Sequence, residues 1–562
     1  MKLIRAGLAA LAVTIAPAPM IAQEAAGAYL AARQAGLSSD YTAASQFYLD
    51  AMLADPGNPN LMESAIASQI GAAQVDQAVI VAKAMEQAGL KSQLADMVLT
   101  AGLAKAEDYT GILNSIEAGR EIGPLVDGLL QAWSHVGQGQ MARALDDFDD
   151  VTASPGLRAF GLYHKALALA SVGDFEDADA VFVEAQSGQR TRRATLAHTQ
   201  VLSQLDRNDD ALRLMTAVFG NSFGADIAPI AEELRAGAPL GFSFVTSPTD
   251  GIAEVFFSVA GALDGEMEPD FTLIYTRIAE HLRSDHIEAL LLSARLLEEL
   301  GQFDLATQAY DSVPRSDPAY HAAELGRSAA LRRAGRSDAA IEVLTQLAET
   351  HGDLPQVHQA LADGLRRDGD YDAANASYST ALSLFTKTMP FHWRLYFHRA
   401  VTFERLGNWS EAEADLRQSL ALNPSQPEVL NYLGYSLVER QEKIDEALTL
   451  IERAAAERPD TGFIIDSLGW VLYRRGEFEQ AVTHLERASE LEPVDPVVND
   501  HLGDAYWAVG RETEARFQWS RALSFDPTED DAERIRLKLE LGLDEVLLRE
   551  GAPAIQVAND DS

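Results

Sequence analysis

Between residues 287 and 529 the sequence repeats every 34 residues, a spacing that suits a stack of small units and no single compact core. The clearest unit holds Leu502, Gly503, Tyr506, Gly510, Ala515, Trp519, Ala522 and Pro527. One period earlier the same offsets carry Leu468, Gly469, Leu472, Gly476, Ala481, Leu485, Ala488 and Pro493. Apolar residues three and four apart on either side of the second glycine describe two amphipathic helices. That glycine sits where a left-handed residue ends the first helix, and the proline marks where the second cannot continue. Such a pair buries its apolar face only against neighbouring pairs. The period therefore predicts an all-α fold, a superhelical α-solenoid of antiparallel helix pairs.

Seven regular repeats tile residues 287–529, starting at Ile287, His321, Pro355, Trp393, Pro427, Gly462 and Pro496. Two interruptions are visible: an insertion from Met389 to His392, and one extra residue near Glu442 and Lys443. Both fall in turns, where added length costs little loop entropy. Residues 23–219 read as degenerate repeats of the same kind, clearest at 25–58, 123–156 and 159–192. Residues 220–252, with Gly237, Pro239, Gly241, Pro248 and Gly251 around an apolar Phe242–Val245 segment, read as an irregular loop or hinge. A degenerate repeat at 253–286 would then join the regular array. Residues 530–550 read as a C-terminal capping helix, and 551–562 as a disordered acidic tail.

The charge balance is one-sided: 45 Lys and Arg against 85 Asp and Glu, a formal net charge of -40. Nucleic-acid phosphates need clustered Lys and Arg, so no nucleic-acid partner is expected. The absence of cysteine excludes disulfides, thiolate nucleophiles and cysteine metal ligands. Residues 1–22 have the form of a secretory signal peptide: Lys2 and Arg5, an apolar run from Ala6 to Ala16, then the small Ala22. Cleavage after Ala22 would leave an exported, periplasmic, soluble chain. No later stretch approaches the ~20 apolar residues of a spanning helix, so no integral membrane span is expected.

Motifs that carry chemistry are absent from the sequence: no zinc-protease helix, phosphate-binding loop or nucleophile elbow occurs. His281 and His286 are five apart, the wrong spacing for one helical face, and read as surface residues. Asp206, Asn208 and Asp210 open like a calcium loop, but Ala211 and Ala217 stand where glycine and glutamate are needed. Gly137-Gln138-Gly139 has no preceding strand and so is not a dinucleotide fingerprint. The sequence thus points to a non-enzymatic protein with no catalytic residue, metal or cofactor.

These repeat positions resemble those of tetratricopeptide repeat (TPR) proteins. The segments Asn431–Tyr435, Asp466–Trp470 and Asn499–Asp504, with Ala515–Trp519, further resemble exported proteobacterial TPR scaffold and adaptor proteins of the cell envelope. The resemblance implies that first helices line a concave groove, faced by the fifth, ninth, twelfth and thirteenth residues of each repeat. Carried onto this chain, the groove receives Arg332, Arg333, Arg366 and Arg367, then Phe397, Tyr435, Trp470, Tyr473 and Trp507, with Asp466, Asp500 and Asp504 among them. Aromatics and arginines are the residue types that anchor interfaces. The chaperone-binding carboxylate clamp is not implied, because Leu291 and Arg295, Leu325 and Ala329, and Gln359 and Asp363 replace its Lys and Asn. The expected function is a periplasmic scaffold or adaptor that binds a protein or peptide partner in the groove, in envelope assembly or proteolysis. The alternative is an architectural, self-associating component of an envelope complex, and the oligomeric state is left open.

Like-charge repulsion in so acidic a chain is least screened at low ionic strength. The melting temperature should therefore rise as salt is added from a few millimolar upward; a melting temperature indifferent to salt would contradict this.

Overall fold

The computed structural model describes residues 18–185 and 191–551. The expected signal peptide up to residue 17 and the expected tail from residue 552 lie outside the described residues. The first helix, Ala18–Leu37, runs through the expected cleavage point at Ala22. Every regular element among the described residues is helical, and the chain divides into two compact units, Met1–His351 and Gly352–Ser562.

The regular repeats are helix pairs whose first helices start at Ile287, Tyr320, Pro355, Trp393, Pro427, Gly462 and Pro496. Pro355, Pro427 and Pro496 occupy first turns, where the missing N–H leaves no intrahelical bond unmade. The small residues sit at real crossings. A Cβ on Gly469 would meet Leu485 Cγ at 2.5 Å, and one on Gly503 would meet Trp519 Cδ1 at 2.4 Å. The turn after Pro427–Glu439 shows what the inter-helix turns require. It has no glycine, and Gln441 (φ 55°) and Lys443 (φ 46°) take the left-handed backbone instead, absorbing the extra residue. The insertion forms a 3-10 turn, Pro390–His392, whose buried imidazole packs on Phe385 with ring centroids 3.9 Å apart.

In the first unit the degraded repeats still fold as pairs: Pro59–Gly71 with Val75–Gln87, Gln93–Lys105 with Tyr109–Glu117, Pro124–Gly137 with Met141–Ala153, Arg158–Ser171 with Phe175–Glu184, and Arg192–Gln204 with Asn208–Phe219. The segment 220–252, expected as a loop or hinge, differs on two counts. It contains the helix Ala228–Arg235, and the irregular part after it is pinned. Gln200 Oε1 accepts from the Ser243 amide at 2.9 Å, Ser203 Oγ accepts from the Leu240 amide at 2.9 Å, and Arg283 Nη2 donates to the Ser243 carbonyl at 3.1 Å. Backbone held by side chains from two helices lacks the freedom of a hinge.

The main departure from a simple stack begins at Pro248. The helices Pro248–Leu263 and Pro269–Leu282 form an antiparallel pair, as expected of a degenerate repeat, and adjoin Ile287–Glu299. They also pack against the first helices Pro59–Gly71, Gln93–Lys105, Pro124–Gly137 and Arg158–Ser171. This returning hairpin fills the side that first helices otherwise leave as a groove. Its sequence suits the place: Ile252, Ala253, Val255, Phe256, Val259 and Ala260 form a broad buried apolar face, and Glu254 on the other side is buried as well. A capping box between Ser247 and Asp250 starts it. The unit also closes on itself, for Lys105 Nζ donates to the His281 carbonyl at 2.7 Å and Gln302 Nε2 to the Ser38 carbonyl at 3.3 Å. Tyr41 packs in one cluster with Leu273, Leu290 and Leu305.

The closest seam lies at Gly251, where an added Cβ would fall 2.3 Å from the fully buried ring of Trp133. Gly251→Val should cost about 3 kcal/mol through overpacking. Gly261→Ala on the same helix, where a Cβ meets nothing within 4 Å, should cost nothing. Thermal melts of the two variants check the contrast.

Candidate functional site

Most aromatic and acidic positions expected to face a partner in the last repeats already have partners within the chain. Trp470 is nearly buried and stacks on Tyr473 (4.8 Å, 9°) and on His501 (3.9 Å, 9°), while its Nε1 donates to Glu439 Oε1 at 2.7 Å. Asp466 is buried 3.0 Å from His501 Nδ1. Asp500 and Asp504 both bind Lys538 Nζ, each at 2.7 Å, and Asp504 Oδ1 accepts from Trp519 Nε1 at 2.9 Å. Arg534 lies 3.9 Å and 3.7 Å from the same two carboxylates. Trp507 donates from Nε1 to Asp544 Oδ2 at 3.0 Å.

Asp466, Trp470, Tyr473, Asp500, Asp504 and Trp507, expected to face a groove, are thus engaged within the chain. Two helices, Glu529–Leu541 and Leu543–Arg549, follow the last repeat and supply Lys538, Arg534 and Asp544. Lys538 is fully buried, and a buried ammonium requires the carboxylates it meets. The cap therefore docks by charge matching. These six side chains join repeat to repeat and repeat to cap.

The remaining expected positions are more open. Arg332 and Arg367 are exposed, and Arg333 reaches Glu298 at 3.5 Å. Arg366, half-buried, donates from Nε to the Tyr378 hydroxyl at 3.2 Å. Phe397 stands edge-on to Tyr432 (5.6 Å, 86°), and both it and Tyr435 are half-buried. Beside them in the sequence pattern, at the fifth position of its repeat, Asn431 holds its Oδ1 buried with no hydrogen-bond partner. Sequence reading did not single out Asn431 as a site residue, and only the structure shows its unmet acceptor.

A second cluster, which sequence reading missed, lies under the returning hairpin. Glu254 is almost fully buried. It accepts from Tyr163 Oη at 2.8 Å, from Arg193 Nη2 at 2.6 Å and Nε at 2.7 Å, and lies 3.2 Å from His286 Nε2. Burial pushes the carboxyl up, yet Arg193 and the hydrogen bond from His286 outweigh it and hold it well below the usual range. His286, expected at the surface, is buried. Its Nδ1 accepts from the Ala289 amide at 3.2 Å and caps the helix Ile287–Glu299, which leaves the proton on Nε2 facing Glu254. Nearby, Trp133 Nε1 donates to His164 Nδ1 at 3.1 Å, and burial holds that imidazole down at about 4. Every strong acceptor of Glu254 is satisfied, so the cluster works as a clamp between helices. Among the described residues no group of three or more His, Asp or Glu is placed to hold a metal.

With this geometry in view, the comparisons bear on the regular array. The tetratricopeptide repeat model matches residues 291–355, 360–427, 400–461 and 467–530. Over these residues, less than half of the chain, the regular array is similar to tetratricopeptide repeats. The chain is similar to a TPR repeat-containing protein of Pseudomonas aeruginosa, 31% identical over 185 residues, or 33% of this chain. It spans 30% of that relative's length. Among solved structures it is similar to a tetratricopeptide repeat protein of Parabacteroides merdae (17% identity, TM-score 0.37, 46% of this chain and 98% of that one). A second is the APC/C hetero-tetramer Cut9-Hcn1 (15% identity, TM-score 0.39, 94% of this chain and 98% of that one).

Two of the buried imidazoles, His164 in the first unit and His501 in the second, respond to pH in opposite directions. Burial lowers the pKa of His501, but Asp466 beside it, with Asp500 and Asp504, raises it above the ordinary 6.5. Its stabilising pairing is full below about pH 6.5 and is lost as pH rises through the folded value. His164 is kept neutral at about 4, so its contribution is full above 6.5 and is lost as pH falls towards 4. Melting curves at about pH 5, 6.5 and 8.5 should show His501→Gln flattening the alkaline side and His164→Gln the acid side.

Proposed function

We propose that the chain is an exported, non-enzymatic adaptor of the bacterial envelope whose second unit takes a protein or peptide segment on the first helices Pro355–Asp368, Trp393–Arg405 and Pro427–Glu439. The observation that carries this reading is the unmet acceptor of Asn431, at a groove position of the same repeat as Tyr435. A buried carboxamide oxygen without a donor costs free energy, and an extended segment brings backbone N–H groups that satisfy it. Half-buried Phe397 and Tyr435 supply apolar surface for alternate side chains, and Arg366 and Arg367 supply cations for an acidic one. The first helices of the first unit from Pro59 to Ser171 are covered by the returning hairpin, which leaves them unavailable to such a segment. Export rests on the form of residues 1–22, and a periplasmic partner follows from it.

Affinity capture from periplasmic extract, with wild type against Asn431→Ala and Phe397→Ala/Tyr435→Ala, tests the reading. Asn431→Ala should weaken the captured partner about tenfold, the worth of one hydrogen bond to a buried group. The aromatic pair should remove it. Trp470→Ala would act through loss of stability and so lower the melting temperature as well. An unchanged set of partners in both groove variants would reject the proposal.

A further inference from the structure

Beneath the outer face of the returning hairpin lies a cavity of about 520 Å³, within the ~300–1,000 Å³ range of small-molecule sites. Its walls come from the helices Arg158–Ser171, Phe175–Glu184 and Arg192–Gln204 on one side and Pro248–Leu263 on the other. The hairpin therefore leaves part of the first unit's inner face unfilled and walls it in. Phe160, Phe182, Phe257 and Leu214 make the lining apolar and aromatic. Gly261 also lines it, and a side chain added there would meet open space.

The charges on the wall do not cancel. Arg192 is paired with Asp226 at 2.6 Å, and His198 with Asp179 at 2.7 Å. Arg193 stands between two carboxylates, Glu254 at 2.6 Å and Glu288 at 2.8 Å. Glu254 takes the hydrogen bonds of that guanidinium and is sealed from solvent. Glu288 remains about 35% exposed on the cavity wall. Burial works against its charge, but Arg193 and then His286 hold its pKa below the ordinary range, so it is ionised. One net negative charge thus faces an otherwise apolar cavity.

We propose that this cavity is a binding site for a small hydrophobic monocation, its apolar body among Phe160, Phe182 and Phe257 and its charged nitrogen at Glu288. The site is separate from the proposed protein-binding face, because it belongs wholly to the first unit. Its chemistry is a half-open, mainly apolar and aromatic cavity with one carboxylate at the wall.

The test uses probes that share one tail and differ in head group: decylamine, decanol and decanoate, titrated calorimetrically into the full chain at neutral pH. The expected result is saturable binding of decylamine at one site, about tenfold tighter than decanol, with decanoate weakest. Glu288→Gln should bring decylamine and decanol to within a factor of about two. Gly261→Phe fills the cavity without changing any charge and should weaken all three by at least about tenfold. Equal binding of decanoate, or no saturable binding of decylamine, overturns the proposal. Decylamine binding that survives Gly261→Phe also overturns it, since the amine would then be adsorbing to the acidic surface. Because Gly261 faces open space, that variant keeps the test decisive even if Glu288→Gln loosens the Arg193 cluster.

Discussion

The first unit depends on a single buried carboxylate. Glu254 sits on the returning hairpin and binds Tyr163 of Arg158–Ser171, Arg193 of Arg192–Gln204 and His286 at the start of Ile287–Glu299. Hydrophobic burial is non-directional and would bring the apolar face of the hairpin against the first helices at more than one register. A charge that must be paired selects one of them. With Glu254 gone, the Arg193 guanidinium would stay buried beside Glu288 alone, and breaking a buried pair in this way costs roughly 3–5 kcal/mol.

The same device recurs at the other end of the chain with the signs reversed. There a buried cation, Lys538, reaches into a pair of carboxylates, Asp500 and Asp504. In both places an added helix docks on first helices through an ion cluster that admits one geometry. The net charge of -40 makes this choice intelligible. Free cations are scarce in the chain, and a Lys or Arg drawn into a cluster of acids relieves local repulsion as well as fixing position.

How much of this was legible in the sequence depends on how far each interaction reaches. Turn glycines, terminal prolines and crossing residues such as Gly503 recur at fixed offsets, and the first helices from Ile287 onward start within a residue of the repeat starts read from them. The helix pairs of the N-terminal half were legible as pairs. The returning hairpin was not, because Tyr163, Arg193 and His286 lie 91, 61 and 32 residues from Glu254, with no local pattern joining them. One sign was available: six apolar positions within Ile252–Ala260 make a broad face, as expected of a helix with several neighbours. Six of the groove positions are engaged within the chain for another reason. Trp470 and Asp504 do occupy first-helix positions, but a position that faces a groove in mid-array faces the next helix near its end.

The bond between Gln302 and Ser38 spans 264 residues. An ordinary repeat array can nucleate at any pair and grow outward, since each pair meets only its neighbours. The first unit cannot finish in that way. Its opening repeats lack their interior packing until the hairpin has been made, and lack their closing contacts until Gln302 has left the ribosome. Contacts of such long range slow folding, because the entropy of closing the intervening chain must be met before they form. The order of events along this chain therefore runs against its sequence: the segment made first is the one completed late.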